Sequence, residues 1–148
     1  MKYLFDASAI LNLVRRLGER SLKILRGNYI LTLTIYEVGN VLWRETKLVK
    51  KLTMDEAEEI MKAIITLTNF MQVIALEDPV EVLRTSNEIE TTFYDAAYVV
   101  TALRKGLTLV TDDKRLAAKI ERHRDIILEE YEGELHVIES AELSRAKY

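Results

Sequence analysis

Five carboxylates stand out by where they fall along the chain: Asp6, Glu37, Asp95, Asp112 and Asp113. Asp6 ends the apolar run Tyr3-Leu4-Phe5, and Asp112 and Asp113 end the run Leu107-Thr108-Leu109-Val110-Thr111. Glu37 and Asp95 each follow a threonine by three residues, Thr34 and Thr92, where helical patterns begin. Short apolar runs rich in β-branched residues read as buried strands, so two strands each deliver acid to a sheet edge. Acids gathered on one edge repel one another unless a cation is present. Hard oxygen donors with no His or Cys close by suit Mg²⁺ or Mn²⁺. Cysteine is absent, which removes disulfides, thiolate catalysis and zinc–thiolate sites together. Neither His123 nor His136 falls near the acidic edge, so a histidine-pair mechanism is not expected and both read as surface or packing residues.

The elements that must position these acids can be read in order. Lys2 to Phe5 is a strand, and a helix over Ser8 to Leu17 ends at Gly18, a natural terminator. A short helix over Arg20 to Arg26 stops at Gly27-Asn28, and Tyr29 to Leu33 is a second strand. Thr34-Ile35-Tyr36-Glu37 has the form of a capping box opening a helix that reaches about Lys47. Thr53-Met54-Asp55-Glu56 is another, starting an amphipathic helix with Ala57, Ile60, Met61, Ile64, Ile65 and Leu67 inward. Gln72 to Leu76 is a third strand. Asp78-Pro79-Val80-Glu81 supplies N-cap, first-position proline and an acid for a helix to about Ile89. A helix over Thr92 to Lys105 is closed by Gly106; the acid-tipped strand and a helix to about Arg122 follow. Either Ile126-Ile127-Leu128 or Leu135-His136-Val137-Ile138 supplies a last strand, and Ala141 to Tyr148 is a terminal helix. This alternation, without repeats or linker, predicts one α/β domain over residues 1–148 with a mostly parallel sheet.

In an open parallel sheet ligands bind outside the C-terminal strand ends. Asp6, Asp112 and Asp113 follow their strands directly, and Glu37 is expected in the first turn of the helix leaving the second strand. The helix carrying Asp95 precedes the Leu107–Val110 strand and must run antiparallel to it, which lays its N-terminus over the same edge. Each acid also has a purely structural reading. Glu37 and Asp95 sit where a capping box wants them, and Asp112 and Asp113 could complement a helix dipole behind a Thr111 cap. Asp6 has no capping pattern of comparable quality, and the convergence of all the acids on one edge favours a site.

Phe5-Asp6-Ala7-Ser8, Glu37 within Tyr36-Glu37-Val38-Gly39-Asn40, Tyr94-Asp95-Ala96-Ala97 and Val110-Thr111-Asp112-Asp113-Lys114-Arg115-Leu116 resemble the four acidic motifs of PIN domains, most closely the VapC-type toxins of toxin–antitoxin pairs. The resemblance spans nearly the whole chain, with the motifs in order. It implies a three-layer α/β/α sandwich and a metal-dependent endoribonuclease in which Asp6, Glu37, Asp95 and Asp113 hold one or two Mg²⁺ or Mn²⁺ ions. In that family the last acid falls two residues after the Thr or Ser, which makes Asp113 the closer equivalent and Asp112 a neighbour of the metal. Ser8 and Thr111 would be supporting hydroxyls, with Asn12 and Asn40 as further candidates for the pocket. The resemblance also implies an RNA substrate, a cognate antitoxin protein that places a basic side chain in the acidic pocket, and a homodimer.

The net charge of -3 argues against a generic nucleic-acid-coating protein but leaves room for a local basic path. Its candidates are Arg15, Arg16, Arg20, Lys23 and Arg26, with Lys114 and Arg115 beside the site; the plainer reading is solvated helix faces. Tyr94 is placed to stack on a base or to be buried. No apolar run approaches the ~18 residues needed to span a bilayer. Met1-Lys2-Tyr3-Leu4-Phe5-Asp6 meets an acid before a signal-peptide core could form, so a cytoplasmic protein is expected. Rival readings are a housekeeping PIN nuclease of RNA or ribosome maturation and a catalytically silent PIN-fold interaction module, whose mark would be loss of an acid. A haloacid-dehalogenase-like phosphatase wants a second Asp two residues after the first, where Ser8 stands, and a receiver domain fits poorly.

Overall fold

The structure, a computed structural model, describes residues 1–145. Its centre is a five-stranded sheet in the order β3-β2-β1-β4-β5, with β1 Tyr3–Phe5, β2 Tyr29–Leu31, β3 Gln72–Ile74, β4 Thr108–Val110 and β5 Val137–Ile138. All four pairings are parallel. The inner strands are fully apolar at their core: Leu4, Phe5, Leu109 and Val110 are wholly buried, as strands covered on both faces must be. The edge strand β3 leaves Val73 exposed.

Alternation along the strands splits the core into two layers. Phe5, Ile30 and Val110 pack with helices α1 Ala7–Leu17, α2 Leu22–Leu25, α3 Leu33–Trp43 and α4 Met54–Thr68. Leu4, Leu31 and Leu109 face the other way, onto α5 Pro79–Glu88, α6 Phe93–Lys105, α7 Lys114–Arg122 and α8 Arg124–Tyr131. The result is the three-layer α/β/α sandwich that the resemblance implies. A last helix, α9 Ser140–Arg145, returns towards α1.

The helix ends signalled by short motifs form as expected where their hydrogen bonds are local. Thr53 and Glu56 form the reciprocal capping box. Asp78 accepts from the N–H groups of Val80 and Glu81 ahead of Pro79, and Gly18 and Gly106 close α1 and α6 at positive φ. Two expectations, the Thr34–Glu37 capping box and an inward Ile65, need correction. Thr34 and Glu37 form no capping box: α3 has its N-cap at Thr32, two residues earlier, Thr34 lies inside it, and Glu37 falls in the second turn. The helical path continues past Trp43 as a wider π turn over Arg44–Leu48. Ile65 points outward and is 49% exposed, because the inner stripe of α4 runs through Ala57, Ile64 and Leu67. Of the two candidates for the last strand, Ile126-Ile127-Leu128 belongs to α8 and Val137–Ile138 forms β5. The expected terminal helix extends over 146–148, outside the described residues.

Candidate active site

The chain order reverses at the centre of this sheet. It runs outward from β1 through β2 to β3, then crosses back to β4 on the other side of β1. That switch point, outside the carboxyl ends of β1 and β4, is where parallel α/β sheets form a ligand crevice. The register pairs Phe5 with Val110, and the Asp6 N–H donates to the Val110 carbonyl at 3.1 Å. Asp6 and the Thr111-Asp112-Asp113 segment therefore leave the sheet side by side.

A cleft of about 710 Å³ opens there, and its wall includes Asp6, Glu37, Asp95 and Asp113. Ser8, Asn12, Asn40 and Arg15 also line it, as do Tyr36, Arg44, Tyr94 and Tyr98. Thr111 is buried, with its Oγ1 3.5 Å from Ser8 Oγ. Lys114 and Arg115 stand exposed outside the wall, and Arg16 turns away to donate to Ser140 Oγ at 2.7 Å. Arg15 is held in an ion pair with Glu45.

Each acid is fixed differently. Asp6 is 6% exposed, and its Oδ1 accepts from Ser8 Oγ at 2.7 Å and from the Ala9 N–H at 2.9 Å. It is the N-cap of α1, although no capping pattern as clear as those at Thr34 and Thr92 marks it in the sequence. Burial pushes its carboxyl up to about 6, against hydrogen bonds from Thr111, Ser8 and Ala9 that favour the charged form; the nearby Asp112 adds to the rise. Glu37 is pushed up to about 7, first by burial and then by Asp6 and Asp95, while a bond from the Tyr98 hydroxyl opposes the shift. Burial also raises Asp95, with Asp113 contributing. Asp95 donates its own N–H to Thr92 Oγ1 at 3.1 Å and accepts from Thr91 Oγ1 at 3.3 Å, so only half of the expected capping box forms. Asp113, not Thr111, caps α7: its Oδ1 accepts from the N–H groups of Arg115 and Leu116, while Thr111 Oγ1 accepts from the Asp113 N–H.

Asp112 is turned elsewhere. Its carboxylate accepts from Asn12 Nδ2 at 2.8 Å, from the Ser140 N–H at 2.8 Å and from Ser140 Oγ at 2.5 Å. Its N–H donates to Ser8 Oγ at 2.9 Å. It ties α1, β4 and α9 together, and Asn12, expected in the pocket, serves this tie while still lining the cleft. Sequence reading missed three participants: Ser140, Thr34 and Tyr98. The clue to Tyr98 was its place one helical turn after Asp95, on the same face.

The donor chemistry of the cleft fits a hard divalent cation. Its acids are all carboxylates, they raise one another's affinity for protons, and no His or Cys lies in the wall. Among the described residues no three such side chains are already drawn together as a metal cage.

Residues 3–122 match the family model of the PIN domain. The chain belongs to the PIN-domain family, and within it to the VapC type. It is 40% identical to the exonuclease VapC9 of Pyrobaculum aerophilum over 128 residues, covering 85% of this chain and 91% of that protein. It is 33% identical over 128 residues to the ribonuclease VapC3 of the same organism, covering 80% and 95%. The crystal structure of PAE2754 from Pyrobaculum aerophilum superposes with a TM-score of 0.74 at 31% identity, over 97% of this chain and 86% of that one.

Proposed function

We propose that residues 1–148 form a single PIN domain that cleaves RNA phosphodiester bonds in a Mg²⁺- or Mn²⁺-dependent reaction, as the toxin of a toxin–antitoxin pair. The observation that carries this reading is the convergence of Asp6, Glu37, Asp95 and Asp113 from four separate segments on one cleft at the sheet's switch point. The kinship with the nucleases VapC9 and VapC3 supports it.

Bound among these carboxylates, a divalent ion supplies a water of lowered pKa and stabilises charge on the phosphate. The chain's own residues do the rest. Asp6 and Asp113 are N-caps, so their carboxylates are anchored to the first turns of α1 and α7 and enter the cleft at set positions. The Ser8 and Thr111 hydroxyls favour the ionised form of Asp6, which a cation requires. Exposed Tyr36 and Tyr94, at 80% and 61% exposure, offer faces on which unpaired bases stack at the cleft mouth. Arg44 meets phosphate at the rim, with Arg15 once released from Glu45, and Lys114 and Arg115 take phosphates further out. A cognate antitoxin inhibits by laying a basic side chain among the acids, and the protein works as a homodimer in the cytoplasm. No helix among the described residues is long and apolar enough to cross a membrane.

The test is cleavage of linear and circular single-stranded RNA by purified protein with Mn²⁺, Mg²⁺ or a chelator, alongside Asp6→Asn and Asp95→Asn. Metal-dependent cutting of both RNAs, lost in both variants, is expected. Cutting that survives the chelator or either substitution would overturn the assignment. Because VapC9 is named an exonuclease, cutting confined to the linear RNA would replace internal cleavage by end-directed cleavage at the same centre.

A further inference from the structure

Among the described residues, Glu37 is the one acid of the cleft held by a side chain from a distant helix. Its Oε1 accepts from the hydroxyl of Tyr98 on α6 at 2.8 Å, and no hydrogen bond from a described residue falls on its Oε2. Tyr98 is 1% exposed, and burial keeps its hydroxyl protonated throughout the working pH range. The same hydroxyl lies 2.8 Å from Thr34 Oγ1, which accepts in turn from the N–H of Leu31, the last residue of β2, at 3.1 Å. Counting protons sets the direction. A tyrosine hydroxyl has one proton to give. With that proton on Glu37, the Thr34–Tyr98 contact needs Thr34 to donate. The three bonds thus form one directed relay, from the β2 backbone through Thr34 and Tyr98 to Glu37, in which each bond polarises the next.

We propose that Tyr98, backed by Thr34, is a positioning residue for Glu37: the relay pins one carboxylate oxygen and leaves the other for a divalent cation in the cleft. The inference rests on reading the cleft as a metal-dependent centre. The competing account is that Glu37 and Thr34 merely satisfy a buried tyrosine hydroxyl, as any buried tyrosine requires. The two accounts differ on what happens to the cation when the hydroxyl goes.

The probe is Mn²⁺ alone, titrated calorimetrically into Tyr98→Phe, Thr34→Val, their combination and Glu37→Gln, with thermal unfolding of each. Outer partners of metal ligands cost roughly 10–100-fold in affinity when removed, and that weakening is expected for Tyr98→Phe. Thr34→Val should weaken binding less, Thr34→Ser should restore it, and Thr34→Val added to Tyr98→Phe should change nothing further. If Glu37→Gln loses Mn²⁺ affinity while folded Tyr98→Phe keeps it, the relay is structural and the inference fails, with the reading of the cleft intact. Should Glu37→Gln itself bind Mn²⁺ like the wild type, the reading fails and takes the inference with it. If Tyr98→Phe does not fold, Thr34→Val decides: wild-type affinity there overturns the proposal.

Discussion

Replacing Asp6 by Asn is expected to stabilise the metal-free protein while abolishing cleavage. Asp6 is a carboxylate buried at the cleft floor whose carboxyl is pushed from 3.8 up to about 6. Holding that group charged in the fold at neutral pH destabilises the native state by roughly 3 kcal/mol, at 1.36 kcal/mol per pH unit. Asn keeps the useful part of the residue. It is as good an N-cap as Asp, and its Oδ1 can accept from Ser8 Oγ and the Ala9 N–H as Asp6 does. Allowing for an imperfect fit of the amide against Thr111, a gain of about 1–3 kcal/mol remains, or a Tm rise of about 3–10 °C for a chain this size. The sign with pH follows from proton counting. Between 3.8 and about 6 the native state holds a proton that the unfolded chain has released. Wild-type stability therefore falls as pH rises through that window and the loss is constant above it. The stability gap between Asp6→Asn and wild type should be near zero below 3.8, open across the window and become flat once Glu37, which Asp6 helps push up to about 7, has ionised as well. Melting curves across that range in the presence of a chelator test this as a difference between the two proteins, which cancels the acids that Asp6 does not influence. Mn²⁺ should then raise the Tm of the wild type more than that of the variant. An Asp6→Asn protein less stable than wild type at neutral pH, or a gap that ignores pH, would refute the claim that unrelieved charge is stored at this position.

Three further outcomes are expected. Asp112→Ala removes the acceptor shared by Asn12 and Ser140, and urea denaturation should show a loss of about 2–3 kcal/mol with Mn²⁺ binding kept; unchanged stability with lost Mn²⁺ binding would move Asp112 into the metal shell. Gly106→Ala introduces a Cβ that meets nothing within 4 Å but at a φ of +60°, so thermal unfolding should report a cost of about 1 kcal/mol from backbone strain alone. Tyr36→Ala and Tyr94→Ala should leave Tm unchanged, given 80% and 61% exposure, and raise KM for single-stranded RNA roughly tenfold each through lost stacking; a wild-type KM would remove the aromatics from the substrate path.

The acid-bearing motifs were legible because each depends on a short stretch: an apolar strand and the residue that ends it for Asp6 and the Asp112-Asp113 pair, and the opening turns of a helix for Glu37 and Asp95. The helix signals at Thr53, Asp78, Gly18 and Gly106 were legible for the same reason, since their hydrogen bonds close within a few residues. Thr34 shows where this reading breaks. Its spacing to Glu37 has capping-box form, but the hydroxyl is claimed by Leu31 and by Tyr98, 64 residues away. Asp112 and Asp113 are neighbours with the same chemistry, yet one is bound to Ser140, 28 residues on, and the other caps α7 into the cleft. Arg15 looks like a free phosphate contact until Glu45 is seen beside it.

By itself the sequence determined the alternation of strands and helices, the parallel sheet it implies, and which acids emerge at the carboxyl ends of strands. These follow from periodicity and local hydrogen bonding, which act over a few residues. Only the tertiary structure decided which oxygens are already spent, that Tyr98 holds Glu37, and that burial lifts Asp6 and Glu37 towards neutrality. Those depend on groups tens of residues apart meeting at the point where the chain reverses across the sheet, and on the exclusion of water there, neither of which spacing along the chain encodes.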